Sequence, residues 1–184
     1  DSKTIIKSLR SFLVFIWVED HICLKSEKKL NNIIDEMYDN QVDNLIYSWF
    51  HNGRYKGPLN FLEYQNLKNF SIFESNKKNC EIITSNISNL YYPISQVSIM
   101  SLNFFKENLE ISKNKIRYNH KIPNNFEKKF NEIENMNFRN AVLHDELFVS
   151  IDDDHVCKNS SLISRGLYPN RKSREDMINL RGNV

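Results

Sequence analysis

Glycine and proline are scarce, with four of each, and cysteine occurs three times. So few glycines leave no Gly-rich phosphate loop and no nucleophile elbow, which excludes the common nucleotide-loop and serine-hydrolase signatures. Cys23, Cys80 and Cys157 are too few and too scattered for a disulfide framework or a zinc knuckle, and no Cys-x-x-Cys pair occurs. A reducing, cytoplasmic compartment is the expectation. No apolar run approaches about 18 residues, so no helical bilayer span is expected. An excess of either charge is also missing: 25 Lys+Arg face 23 Asp+Glu, interspersed, for a formal net charge of +2. That balance argues against nucleic acid as a partner.

The 184 residues, 40% hydrophobic and 12% aromatic, suffice for one core or for a fragment of a larger domain. Asparagine makes up about one residue in seven, which reads as the imprint of an AT-rich genome rather than a prion-like tract. The chain opens at Asp1 inside a helical pattern (Ile5, Ile6, Leu9, Phe12) over 3–11, and so is expected to be a processed or truncated piece of something longer.

Phe12-Leu-Val-Phe-Ile-Trp-Val18 is a continuous apolar run that stops at Glu19-Asp20-His21, the pattern of a strand buried on both faces. From Ser26, an N-cap, Leu30, Ile33, Ile34, Met37 and Tyr38 recur at helical spacing and predict a helix over 27–39. Residues 42–50 form a second β-rich run, so strand, helix and strand make a βαβ unit. Farther along, the patterns predict a short helix near Phe61–Phe70, strands at Cys80–Thr84 and Ile94–Ser101, and a helix from Leu102. Another helix opens at Pro123-Asn-Asn (Phe126, Phe130, Ile133), and a strand spans 146–151. The fold class is therefore α/β, a mixed, largely parallel sheet with flanking helices, over 1–156. Residues 157–184 form an irregular basic tail.

Glu19-Asp20-His21 sits where a rigid strand ends, the place where open α/β sheets bind ligands, and carboxylates beside an imidazole suit Mg²⁺ or Mn²⁺. A solvated strand end would carry the same residues. Asp152-Asp153-Asp154-His155 follows another apolar strand. Converged carboxylates repel one another and need a cation or arginines to stay ionised, although an Asp-rich turn is the plainer reading. Two such clusters in one small domain point to a shared metal site, with the two strand ends expected on one edge of one sheet. Arg165, Arg171 and Arg174 follow directly, so the segment from Ser160 to Arg174 reads as a flap able to close over a diphosphate, or as a solvated basic terminus. Glu127, in the first turn of the Pro123 helix, is a general base or simply a partner of the helix dipole.

The apolar strand running into Val18-Glu-Asp-His21, followed by an amphipathic helix and a second strand, resembles the centre of a GT-A glycosyltransferase of the family-2-like kind. The resemblance spans residues 3–155. It implies Mn²⁺ or Mg²⁺ held by Asp20 and His21, with the late His155 completing the shell. It also implies a nucleotide-sugar donor contacted by Glu19, Arg165, Tyr168 and Arg171, a glycan or lipid-linked acceptor, and a catalytic base at Glu127 with Asp154 behind it. The family's literal Asp-x-Asp is replaced here by Glu-Asp-His, and the βαβ segment that precedes it in the family is not in this sequence. The basic tail would then be a closing loop or a segment that meets a membrane surface peripherally. The other classes are a non-catalytic α/β binding or assembly module and a metal-dependent phosphohydrolase using the same carboxylates.

Overall fold

The computed structural model describes residues 12–16, 21–46, 58–86, 94, 97–114, 132–151 and 161–167. Helix α1 (Glu27–Asp39) starts and stops where the sequence predicts. Ser26 is extended (φ −66°, ψ 157°) and its Oγ accepts the Lys29 N–H at 3.4 Å, satisfying one of the donors left over at a helix start. The apolar stripe carries Ile33 and Met37 into the core. Helix α2 (Lys77–Asn86) and helix α3 (Leu102–Asn114) follow later in the chain. The strands are β1 (Leu13–Ile16), β2 (His21–Cys23), β3 (Asn44–Ile46), β4 (Gln65–Asn66), β5 (Phe70–Ser75), β6 (Ser98–Ser101), β7 (Phe138–Leu143) and β8 (Phe148–Ser150). Six form a mixed sheet in the order β1-β6-β3-β7-β5-β4, while β2 and β8 form a separate ladder.

The sheet is mixed but not largely parallel. Among the described strands only β3 and β7 pair in parallel. Strands β1 and β3 point the same way, as the βαβ reading requires, yet β6 lies between them and is antiparallel to both. Strand β1 is only half-buried, with Phe15 44% exposed, rather than covered on both faces.

Helices cover both faces of the six-stranded sheet. Ser75 and Phe138 are register partners and so share a face; Ser75 Oγ lies 3.7 Å from Cys80 Sγ of α2, and the Phe138 ring lies 4.4 Å from Phe104 of α3. Arg139, on the opposite face, donates to the Asn40 carbonyl that ends α1. The result is a three-layer arrangement with its core on both sides of β7, where Phe138, Ala141, Val142 and Leu143 are all buried.

Two further expectations are corrected. Residues 61–70 form no helix: Gln65–Asn66 pairs with β5 as a hairpin, and its turn is held by the α1 carboxylate of Glu36, which accepts the Lys68 N–H (2.8 Å), the Asn69 N–H (3.1 Å) and Asn69 Nδ2 (2.6 Å). Cys80–Thr84 is helical, not a strand. Asn76 Oδ1 caps the start by accepting the Asn79 N–H at 3.0 Å, and Thr84, Ser85 and Asn86 return their polar groups to carbonyls four residues back. The cap at Asn76 and the burial of Cys80 and Ile83, three residues apart on one helix face, outweigh the β preference of Cys-Glu-Ile-Ile-Thr. Helix 3–11 and most of the Pro123 helix lie outside the described residues, though Ile133 is buried.

Val14, Met100, Asn44, Asn140 and Phe73 form one transverse row across five strands. At its centre Asn44 and Asn140 are both fully buried, and Asn44 Nδ2 donates to Asn140 Oδ1 at 2.8 Å. Losing one partner from a buried pair costs the desolvation of the other, about 1–3 kcal/mol. Asn140→Ala is therefore expected to lower the urea-unfolding free energy by at least that amount, against less than about 0.5 kcal/mol for Asn32→Ala on the exposed face of α1. Equal losses in the two variants would show that the central pair does not hold the sheet.

Candidate functional site

His21 is the first residue of β2 and is half-buried, its Nε2 shielded from solvent. The ladder with β8 is antiparallel, with partners His21 and Ser150, Ile22 and Val149, Cys23 and Phe148; the Leu24 N–H extends it to the Leu147 carbonyl at 2.9 Å. In sequence Asp20 immediately precedes His21, and Asp152-Asp153-Asp154-His155 begins two residues after Ser150. Both acidic runs thus join the ladder at the same end. The expectation of one shared sheet is corrected, because β1 belongs to the six-stranded sheet and β8 to the ladder. The intervening His21-Ile-Cys23 turns extended and supplies β8 with its own partner. The two sheets meet through Phe15 and Phe148, whose ring centroids lie 5.3 Å apart.

Of the expected site residues, His21 and Arg165 are described. Glu19, Asp20, Glu127, Asp154, His155, Tyr168 and Arg171 lie outside the described residues. Among the described residues, no three His, Cys, Asp or Glu side chains come together as a metal-binding group.

Residues 161–167 run as turns along β8. The Leu162 N–H bonds to the Ser150 carbonyl and the Ile163 N–H to the Ile151 carbonyl, both at 3.0 Å, and Leu162 is buried. Gly166, at φ +69°, takes the left-handed conformation that closes the turn when the Leu167 N–H reaches back to the Leu162 carbonyl. In a solvated basic terminus Arg165 would lie exposed. Instead its Nη1 and Nη2 meet both oxygens of Glu146 at 2.7 and 2.8 Å, with the side chains only 13% and 17% exposed. No spacing rule in the sequence singles out Glu146 as that partner.

The fold also makes a contact that the sequence does not announce. His144 Nε2 lies 3.1 Å from Ser71 Oγ, and Ser71 donates to Asn66 Oδ1 at 3.0 Å. A nucleophilic serine must be reachable by a substrate; Ser71 is buried, and its hydroxyl is shared between the imidazole and the Asn66 amide oxygen. The group therefore ties β4, β5 and the end of β7 together. At the far side of the sheet an open groove of about 290 Å³ is lined by Glu63, Tyr64, Gln65, Glu74 and Arg139. Arg139 is engaged there by Glu74 at 3.2 Å and by the end of α1.

Neither a family model, a curated protein nor a solved structure matches this chain. Among the described residues no helix is long and apolar enough to cross a membrane.

Cys80 is no nucleophile at neutral pH: burial pushes its thiol up, opposed by the hydrogen bond with Ser75. Since the folded thiol holds its proton more tightly than the unfolded one, its share of stability is present below the ordinary thiol range and is lost as pH rises through the folded value. Unfolding free energy is thus expected to fall more gently at alkaline pH in Cys80→Ala than in the parent. Identical alkaline slopes would contradict the assignment.

Proposed function

We propose that the end of the β2–β8 ladder is the metal and diphosphate site of a glycosyltransferase that moves a sugar from a nucleotide-sugar donor to a glycan or lipid-linked acceptor. The observation that supports this reading is the register of His21 on Ser150, because it brings the chain segments bearing Glu19-Asp20 and Asp152–His155 to one end of one rigid element. Their donor chemistry, carboxylate oxygens with imidazole nitrogens, fits a hard divalent cation, and Asp20, His21 and His155 are the residues that would hold it. Such a cation, when bound, would neutralise charge on the departing diphosphate.

The remaining roles fall to the chain. Glu19, Tyr168 and Arg171 are assigned to the donor, where an Arg fork matches phosphate oxygens bidentately. Glu127, with Asp154 behind it, takes the proton of the acceptor hydroxyl as that oxygen attacks the anomeric carbon and the bond to the diphosphate breaks. Each carboxylate must be ionised to act, so positive charge close by favours the working state.

Thermal-shift measurements with Mn²⁺, with a panel of uridine and guanosine diphosphate sugars, and with both together test the reading. Stabilisation by metal that increases with one nucleotide sugar is expected, and Asp20→Asn, which keeps the size and removes the charge, should abolish the metal-dependent part. A parent that responds to neither ligand is a binding or assembly module. Metal stabilisation with hydrolysis of phosphomonoesters, and no response to nucleotide sugars, makes it a phosphohydrolase.

A further inference from the structure

Strand β4 ends the six-stranded sheet, with β5 on its inner side and no described strand on its outer side. The register decides which backbone groups face outward. The Leu67 N–H reaches the Phe70 carbonyl at 2.9 Å, while Asn66 lies opposite Ser71 and Gln65 opposite Ile72. Bonded and non-bonded pairs alternate along an antiparallel ladder, so Leu67 and Gln65 direct their N–H and C=O groups to β5 and Asn66, between them, directs its own away. Glu63, Tyr64, Gln65 and Asn66 are exposed in succession, and no described element lies over them. An uncovered edge of this kind is a template on which an extended chain can add a further strand. Two strand residues offer few main-chain bonds, so selectivity has to come from side chains.

Those side chains surround the groove of about 290 Å³, which opens where the β4 ladder stops, at Gln65 and Ile72. Its charges are unequal. The Arg139 guanidinium is already engaged, with Nε 3.2 Å from Glu74, Nη1 on the Asn40 carbonyl and Nη2 3.4 Å from Gln65 Oε1. Glu63 has no ion pair among the described residues, so one negative charge is left over. Tyr64, on the same groove, is 51% exposed. A carboxylate and an accessible aromatic ring together attract an ammonium or guanidinium group, through charge and through the π face, and repel an acidic one. The reach is also right. Gln65, Ile72, Glu74 and Arg139 project on one face of the sheet, and a residue set opposite Gln65 on an added strand, about 4.8 Å away, projects on that face too.

We propose that the outer edge of β4 docks an extended basic segment of another protein, which adds to the sheet as a strand and lays a Lys or Arg side chain in the groove against Glu63 and Tyr64. Main-chain bonds to the edge supply the pairing, and the groove supplies the preference for a cation. This site is separate from the β2–β8 ladder and stands or falls without it.

The probes are the capped heptapeptide Thr-Val-Thr-Lys-Thr-Val-Thr and its counterpart with Glu in place of Lys, each titrated into the isotope-labelled full chain and followed by backbone amide resonances. The Lys peptide is expected to shift Tyr64, Gln65 and Asn66, and the Glu peptide to leave them in place at the same concentration. Glu63→Gln and Tyr64→Ala, both surface changes that keep the fold, should each weaken binding by about 2–5-fold. Methylating alternate peptide nitrogens distinguishes strand addition from simple charge attraction: blocking one edge of the peptide should abolish binding and blocking the other should leave it. Equal binding of the Lys and Glu peptides, equal effects of the two methylation patterns, or no shift at these residues overturns the proposal. Shifts of the same amides with protein concentration alone, without peptide, assign the edge to a second copy of this chain and overturn it as well.

Discussion

The hydrogen bond between Asn44 and Asn140 fixes the register of β3 on β7, and most of the molecule follows from that register. Both side chains are fully buried, so a slip of one residue would turn them to the opposite faces and break their hydrogen bond among apolar neighbours. Adjacent residues reinforce the same alignment. Asp43 accepts the Arg139 N–H and the Ser101 hydroxyl, both at 3.0 Å, so one carboxylate ties the start of β3 to β7 and to the end of β6. With β3 in place, β6, β1, β5 and β4 are ordered on either side of the central pair.

The candidate site inherits its position from β7 through a short connection anchored at every residue. The His144 N–H bonds to the Asn69 carbonyl at 2.9 Å, Asp145 lies 3.8 Å from Lys25 Nζ, Glu146 holds Arg165, and the Leu147 carbonyl accepts the Leu24 N–H. The exposed Lys25 contact contributes little, under about 1 kcal/mol, whereas the others lie within a hydrogen-bonded frame. Strand β8 is thus delivered by a fixed connection, and β2 takes its register from β8. The placement of His21 depends on this chain of contacts rather than on β1, the strand that immediately precedes it in sequence order.

What was legible in the sequence follows the same physics. Helix α1 was readable to its ends because its 3.6-residue period and the Ser26 cap agree, and the helix from Leu102 was readable for the same periodic reason. Strands β5 and β7 were not, because Ser71, Ser75 and Asn140 occupy buried positions that the hydrophobic pattern treats as polar. Each is acceptable there only through a partner supplied by the fold: Asn66 and His144 for Ser71, Cys80 for Ser75, Asn44 for Asn140. For the site, the two acidic runs were visible as strand-end clusters. Their common ladder was hidden because β2 begins at His21, just after two acids, where a reader sees the end of one strand rather than the beginning of another. The partnership of Glu146 with Arg165 links distant positions without any repeating pattern, so only the folded chain discloses it.

The central claim is that a divalent cation binds at the end of the β2–β8 ladder. Paramagnetic broadening of backbone amide resonances by substoichiometric Mn²⁺ tests it most directly, since the effect falls steeply with distance from the ion. The account predicts broadening centred on His21, Ile22, Ser150 and Ile151, with Gln65, Ile72 and Glu74 on the far side of the sheet unaffected. Broadening centred on that far side, or no selective broadening at all, would contradict it.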